Sequence, residues 1–258
     1  MMAGRSIKSS MRRHLFARIA TVVCALAVFT VFTIPVAGQA GDNATLPLPP
    51  NPPPPGNGIP DFNGVWQMPY TPNLERPYGR SLPLTPFGEE KYKTHLGGDD
   101  PHGYCQPTGP TRAFHSPFPF QIVQSAGMMT VLFEIDHTFR RIFADGRPHP
   151  KDQDVTWYGD SIGKYDGNGL HADTMGISDR SWLDTAGHQH SDKLYVSEVF
   201  AKTGPDTITW TVTFDDPVYF TKPWTISLEM KRQKYDIMEM ICTDNNRDMP
   251  HYITSNPK

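Results

Sequence analysis

TITWTVTF (Thr207–Phe214) and WTISLEMK (Trp224–Lys231) are the two stretches that decide the fold. In both, large apolar residues alternate strictly with threonine, serine or charged residues. Successive side chains of a β-strand point to opposite faces, so this alternation predicts strands with one buried and one solvated face. Half-buried strands of this kind are typical of antiparallel sheets.

Eight more stretches have the composition of strands. They are FNGVWQM, PFQIVQ, MMTVLFEI, TFRRIFA, VTWYGDSIGKY, LHADTMGI, KLYVSEVFA and YDIMEMICT. The turn Asp166-Gly167-Asn168-Gly169 predicts a hairpin that pairs Ser161 with Thr174, because glycine and asparagine accept positive φ. Only Pro86–His95 has the pattern of a short helix.

The chain is therefore predicted to be all-β, an antiparallel meander that closes into a barrel resembling the lipocalin or calycin type. Closure would remove the exposed edges of so many strands. A β-sandwich is the alternative. The irregular segment Leu74–Ser116 is expected to cover one end of the barrel or to act as a lid.

The first forty residues are predicted to be a signal peptide and not part of the fold. Basic residues precede the apolar run Ile19–Ile34, and Gly38-Gln39-Ala40 offers small residues for cleavage. An uncleaved membrane anchor is the alternative, although the run is short for a bilayer span. Residues 41–60 are a proline-rich linker, and residues 61–258 are predicted to form a single β-barrel domain.

The mature protein is expected to be periplasmic or secreted, and acidic. Residues 1–40 carry five basic and no acidic side chains, so their removal takes the formal charge from −3 to −8. This charge argues against nucleic acid or an anionic membrane as a partner. Membrane contact is expected only through an uncleaved signal segment. Cys105 and Cys242 either form a disulfide or stay as separate buried thiols.

An ion pair is predicted inside the barrel. Glu198 shares one face of its strand with Val196 and Phe200, so it points inward. A buried carboxylate needs a cation or hydrogen-bond donors. Arg140 and Arg141 are adjacent on a strand, so one of them points inward as well. That arginine either anchors a substrate carboxylate or only neutralises Glu198.

The segment GHQHSD (187–192) contains two histidines one residue apart. His188 and His190 are candidate metal ligands, but a straight strand would place Glu198 too far away to complete a site with them. A metal ion would need other ligands, such as His137, His149 or Asp192. No cofactor is therefore predicted, and metal binding through His188 and His190 is kept as an alternative.

The predicted site lies in an apolar lumen and performs acid–base chemistry. The predicted catalytic residues are His137, His190, Asp160 and Glu198, because histidine exchanges protons near neutral pH and carboxylates orient it or act as bases. The predicted substrate-binding residues are Arg140, Arg147, Trp157, Tyr158, Ser161 and Trp210. The chain lacks a glycine-rich nucleotide loop, a P-loop and a Gly-x-Ser-x-Gly elbow.

These residues favour an exported enzyme, a lyase, isomerase or hydrolase acting on a small, partly apolar molecule. A non-catalytic periplasmic carrier of a hydrophobic ligand is the alternative, since fold alone does not decide function. A third hypothesis is an interaction module of the cell envelope, which would show no cavity.

Several motifs together resemble a family of exported bacterial β-rich, lipocalin-like proteins. They are FNGVWQ (62–67), PLTPFGEEKY (83–92), SPFPFQIVQ (116–124), FEIDHTFRRIFADGRPHP (133–150), WYGDSIGKYDGNGL (157–170), GHQHSD (187–192), DDPVYFTKPW (215–224) and CTDNNRD (242–248). The resemblance spans about residues 61–248. It implies export and a barrel fold, and it assigns no reaction.

Overall fold

The computed structural model describes Gly56, residues 58–167 and residues 169–244 of the chain. The predicted signal peptide, most of the proline-rich linker and residues 245–258 lie outside the described residues. Within the described part, no helix is both long and apolar enough to cross a membrane.

Nine strands and two short α-helices make up the regular structure of the described residues. The strands are β1 (Gly64–Gln67), β2 (Phe120–Ser125), β3 (Met128–Phe133), β4 (Phe139–Phe143), β5 (Asp160–Asp166), β6 (Gly169–Met175), β7 (Tyr195–Gly204), β8 (Thr207–Asp215) and β9 (Trp224–Arg232). The helices are α1 (Glu75–Tyr78) and α2 (Pro86–Thr94), and short 3-10 helices span Gly97–Asp99, Pro101–Tyr104 and Ile135–His137.

The strands form one closed barrel in chain order, and β9 returns to pair with β1. The predicted all-β barrel is thus confirmed over the β-sandwich. One feature departs from a pure antiparallel meander. β4 and β5 run parallel, because residues 144–159 carry the chain back along the barrel before β5 begins. Their ladder has only two residue pairs, Ile142 with Ser161 and Phe143 with Ile162.

The β5–β6 hairpin has the predicted register, with Ser161 opposite Thr174. The predicted strand YDIMEMICT is wrong, because residues 233–244 contain no strand. β9 already pairs with β8 and β1, so no free edge is left for a tenth strand. A side chain holds this segment instead: the Met238 amide donates to Glu134 Oε2 at 2.7 Å.

The barrel interior is filled by side chains. Phe114, from the segment between β1 and β2, packs against Phe120, Phe133, Phe200 and Trp210 with ring centroids 4.9–5.7 Å apart. Phe114, Phe120, Phe200 and Trp210 are 0% exposed, and a ligand-sized void beside them would leave their surfaces exposed. The expectation of an open apolar lumen is therefore wrong.

The strap, defined here as residues 74–116, is tied down by buried polar contacts. The Arg112 guanidinium donates two hydrogen bonds to Asp100, at 2.9 and 2.6 Å. The Leu74 amide donates to Asp184 Oδ2 at 2.8 Å, in the segment between β6 and β7. The Arg112–Asp100 pair joins two parts of the strap itself, and the Leu74–Asp184 contact fixes the strap against the connection that leads into β7.

Cys105 and Cys242 form a disulfide, which was one of the two predicted alternatives. The bond joins the strap to the segment that follows β9. Disulfides persist in oxidising compartments, so this bond is compatible with an extracellular location.

Candidate ligand-binding groove

A groove of about 470 Å³ runs along the parallel β4–β5 pair. It is lined by Pro107, residues 137–141 and 143, and residues 156–161, and is called the seam groove below. The β4–β5 ladder starts only at Ile142 and Ser161. Residues 137–141 and 156–160, which precede the ladder on its two sides, do not pair with each other and form the two walls.

The seam groove brings together six of the residues predicted from the sequence. They are His137, Arg140, Trp157, Tyr158, Asp160 and Ser161. Arg140 and Ser161 are buried and turn their side chains into the barrel. The groups left accessible in the groove therefore lie on the outside of the barrel and not in its lumen.

Asp160 forms a partly buried contact with His149, a residue that precedes β5. Its Oδ1 lies 2.7 Å from His149 Nδ1, which donates because an ionised carboxylate only accepts hydrogen bonds. Asp160 Oδ2 forms no hydrogen bond with the described residues, and the His149 Nε2 atom is buried without a partner among them. One oxygen of Asp160 is thus fixed, and the other is free for a ligand.

A strained turn places His137 in the groove. Asp136 and His137 both have left-handed backbone angles, with φ of 64° and 49°, which costs of order 1–3 kcal/mol for each such residue. Asp136 Oδ2 holds the turn by accepting hydrogen bonds from the Thr108 amide at 3.1 Å and the Thr108 hydroxyl at 3.2 Å. The His137 side chain is 40% exposed, and its Nε2 lies 3.9 Å from Glu239 Oε1.

Aromatic side chains form much of the groove wall. The Tyr158 hydroxyl hydrogen-bonds to Thr138 Oγ1 at 2.5 Å, and burial raises the pKa of Tyr158 to about 12, so the phenol stays protonated. The Arg180 guanidinium lies 4.7 Å from the centre of the Trp157 ring. These contacts hold both rings in place as an apolar surface.

Arg140 and Glu198 form an ion pair inside the barrel, as predicted. Arg140 Nη1 donates to Glu198 Oε1 at 3.0 Å, and Nη2 contacts Oε2. Arg140 also donates to Ser161 at 3.1 Å and Thr174 at 2.7 Å, while Trp210 Nε1 donates to Glu198 at 2.9 Å. The paired side chains are 1% and 0% exposed. These contacts describe a structural network, and a ligand role for its members stays a prediction.

His190 lies outside the seam groove. Its Nε2 is 3.0 Å from Ser181 Oγ and its Nδ1 is 2.9 Å from the Ser191 carbonyl. Burial lowers the pKa of His190, which favours the neutral ring. These contacts tie His190 into the connection before β7, and its predicted catalytic role has no support from the groove geometry.

His188 and His190 lie before β7, which begins only at Tyr195, so the distance to Glu198 along a straight strand does not apply to them. Asp216 accepts hydrogen bonds from the Ser191 amide and hydroxyl, which hold the chain in an irregular path. His188 Nδ1 lies 2.7 Å from Asp184 Oδ2, and the His188 ring stacks on the Tyr92 ring. No group of three or more potential metal-binding His, Cys, Asp or Glu side chains occurs among the described residues.

Arg147 is exposed at the turn after β4. Its guanidinium is paired with Asp145, with a shortest distance of 2.5 Å, and lies 3.9 Å from the centre of the Phe143 ring. Arg147 is therefore near one end of the groove but already has a carboxylate partner.

A second cavity, of about 480 Å³, lies under the strap. Arg112, His115, Trp182 and Met240 are among its lining residues. Burial lowers the pKa of His115 to about 4, so this histidine is neutral at pH 7 and donates from Nε2 to the Leu183 carbonyl at 3.1 Å. The charged groups of this cavity are used in internal contacts such as the Arg112–Asp100 pair.

Two residues that bear on the site were not assigned to it from the sequence: Arg141, which lines the groove, and His149, which contacts Asp160 but is not among the lining residues. The sequence offers Arg141 only as an inward-pointing residue that pairs with Glu198 or anchors a substrate carboxylate, although the same alternation that turns Arg140 inward turns Arg141 outward into the groove. His149 lies in an irregular stretch where no periodicity indicates direction, and its contact with Asp160 depends on the path of the β4–β5 connection.

No protein-family model matches the chain, and no curated protein matches it. Among solved structures, the chain is similar to the crystal structure of a mutant of the fluorescent protein UnaG, with 16% identity and a TM-score of 0.29. That match covers 67% of this chain and 96% of the other chain. A similarity of this size carries no conclusion about ligand or activity, and the fold rests on the barrel topology itself.

Proposed function

We propose that the protein binds a small, partly apolar molecule in the seam groove and acts on it as an enzyme by acid–base chemistry, without an organic cofactor. The observation that carries the proposal is that His137 and Asp160 share one groove with Trp157 and Tyr158. A proton acceptor, a proton carrier and an apolar surface are the parts such a reaction requires. The reaction would be that of a lyase, isomerase or hydrolase.

Asp160 is assigned the role of base and His137 that of proton carrier. His149 fixes one Asp160 oxygen, and the other, which has no hydrogen-bond partner among the described residues, is assigned to the ligand. His137 is accessible in the groove, and histidine readily exchanges protons near neutral pH. His190 is given no catalytic role in this proposal, because its ring nitrogens contact Ser181 and Ser191.

A carrier that holds the same molecule without changing it is the second candidate function. It is favoured by the aromatic character of the walls, to which Phe139, Phe143, Trp157 and Tyr158 contribute. Rigid aromatic surfaces bind ligands whether or not chemistry follows. The two functions place the ligand in the same groove and differ in whether it is converted.

Export to the periplasm or beyond is part of the proposal. The Cys105–Cys242 disulfide supports it, because such bonds are rare in reducing compartments. The predicted signal peptide, residues 1–40, supports it independently through its sequence pattern.

The test is to identify small molecules that co-purify with the protein by mass spectrometry, return them to the emptied protein and follow their conversion by NMR. We expect Asp160→Asn and His137→Gln to bind the molecule with nearly unchanged affinity. We expect both to convert it roughly 10²–10⁴-fold more slowly, the usual contribution of a general acid or base. His171→Gln is the matched control, since His171 is exposed on β6 and lies outside the groove.

Binding without conversion by the unaltered protein would establish the carrier function. Conversion that survives both Asp160→Asn and His137→Gln would contradict the assigned roles. A ligand whose binding is unaffected by Trp157→Ala would place the site elsewhere.

A further inference from the structure

We propose that the ligand of the seam groove is an aromatic anion, in its simplest form an aryl carboxylate, and that Arg141 binds its anionic group. This inference rests on the proposed function, because it concerns the same groove, and it names the class of ligand that the groove accepts.

The guanidinium of Arg141 has no carboxylate partner among the described residues. Two aromatic rings hold it in place. Its Cζ atom lies 5.6 Å from the centre of the Phe139 ring and 5.4 Å from that of Phe143. Rings at this distance attract the cation and limit its movement, while its N–H groups stay available for a planar anion. The other arginines of this region differ, since Arg140 is paired with Glu198 and Arg147 with Asp145.

The nearest carboxylate on the adjoining strand does not neutralise Arg141. Ile142 pairs with Ser161, so Arg141 and Asp160 are the preceding residues of neighbouring strands. The Asp160 carboxylate nevertheless bonds to His149 at 2.7 Å and forms no ion pair with Arg141. A ligand anion would therefore complete the charge balance at Arg141 while Asp160 keeps its own partner.

The body of the ligand is inferred from the walls around Arg141. Phe139 is 55% exposed although it is a large apolar side chain, and it lines the groove together with Phe143, Trp157 and Tyr158. A flat, unsaturated ring system would cover Phe139 and pack against these rings in offset or edge-on geometry.

The net charge of the whole chain supports a specific role for Arg141 in anion binding. The formal net charge is −3, so the protein surface as a whole does not attract anions. The Arg141 guanidinium, which has no ion-pair partner among the described residues and lies near two aromatic rings, is the local feature that would attract one. A charge-assisted, forked contact to a carboxylate is among the strongest bonds it can form.

The experiment compares two probes with the same ring system, 1-naphthoate and the neutral 1-naphthylmethanol, by calorimetric titration of the purified protein. We expect 1-naphthoate to bind about tenfold or more tightly than 1-naphthylmethanol, as expected for a charge-assisted contact. Arg141→Ala should remove this preference, and Arg141→Lys should keep part of it, because lysine retains the charge but loses the fork. Arg80→Ala is the matched control: Arg80 stacks on Tyr78 at 4.8 Å and lies outside the groove.

Equal affinity for the two probes in the unaltered protein would overturn the inference and leave the proposed function standing. A preference for 1-naphthoate that survives both Arg141 variants would overturn the role of Arg141. Binding of neither probe at millimolar concentration would overturn the inference and the proposed groove together. Unfolding curves of the variants establish whether each is folded. If Arg141→Ala does not fold, Arg141→Lys keeps the test valid.

Discussion

At the scale of single residues, the Arg140–Glu198 pair shows how a charge is accommodated inside this barrel. Five hydrogen bonds from Arg140 and Trp210 join the pair to each other and to two hydroxyl groups. A buried ion pair adds little over apolar residues of similar volume, but the loss of one partner leaves an uncompensated charge. The pair therefore makes the core sensitive to single substitutions.

Glu198→Gln is expected to lower the free energy of unfolding by about 3–5 kcal/mol, because Arg140 then keeps its charge without a counter-ion. The double variant Arg140→Met with Glu198→Leu is expected to recover most of this loss. Urea denaturation followed by tryptophan fluorescence measures both. Glu229→Gln serves as the control, since Glu229 is 57% exposed in its pair with Lys231 and its removal costs about 0–1 kcal/mol. Equal losses for the two glutamates would contradict the account.

His115 gives a pH dependence whose sign follows from its burial. Its pKa falls to about 4 in the folded state, below the value of about 6.5 for an unfolded chain. The unfolded state therefore binds the extra proton first, and stability is lost as the pH falls from about 6.5 to about 4. The loss amounts to at most about 3 kcal/mol. His190, whose pKa burial also lowers, acts in the same direction.

The measurement is urea denaturation at a series of pH values for the unaltered protein and for His115→Asn. Above pH 7 the variant is expected to be the less stable of the two, because the contact with Leu183 is altered. Between pH 7 and pH 4 it should lose less stability than the unaltered protein. Parallel curves would show that His115 does not titrate as its burial requires.

Alternation along a strand was sufficient to predict that Glu198 and one of the two adjacent arginines point inward, because that inference is local. The contact between His149 and Asp160 was not predictable in this way. His149 lies in an irregular stretch, and its direction is set by a connection that no sequence periodicity describes.

At the scale of elements, the β4–β5 pair borders the groove and has a short ladder. Two residue pairs join β4 to β5, whereas seven join β5 to β6. The Asp166–Gly169 turn made the β5–β6 register predictable, since hairpin geometry is fixed by a few residues. The parallel pair could not be predicted, because residues 144–159 return the chain without a helix or another pattern that reports their path.

Gly159 tests how closely the chain packs where β5 begins. Its φ is +66°, and an added Cβ would lie 2.6 Å from the Met175 carbonyl oxygen. Gly159→Ala is expected to cost about 1–3 kcal/mol more than Gly146→Ala, because the added methyl group would overpack this site. Gly146 also has a positive φ, of +84°, but no atom lies within 4 Å of its added Cβ. Equal unfolding free energies of the two variants would contradict the close packing.

At the scale of the whole molecule, the barrel is closed and filled, and the accessible ionisable groups lie on its outside. Closure was predictable from many half-buried strands that need partners for their edges. The filling of the lumen by side chains was not predictable from the sequence. Phe114 lies in an irregular segment, where no periodicity shows which side chain enters the lumen. A ligand is therefore expected in the seam groove and not among Phe114, Phe200 and Trp210.

The five tryptophans report on these locations separately. Trp157 lines the seam groove and Trp182 the cavity under the strap, while Trp66, Trp210 and Trp224 are buried in the core. The most direct measurement is a titration of the ¹⁵N-labelled protein with 1-naphthoate, in which the five indole N–H signals are followed by NMR. A ligand in the seam groove predicts that the Trp157 signal shifts and the other four do not. A shift of the Trp210 or Trp182 signal with the Trp157 signal unchanged would contradict ligand binding in the seam groove.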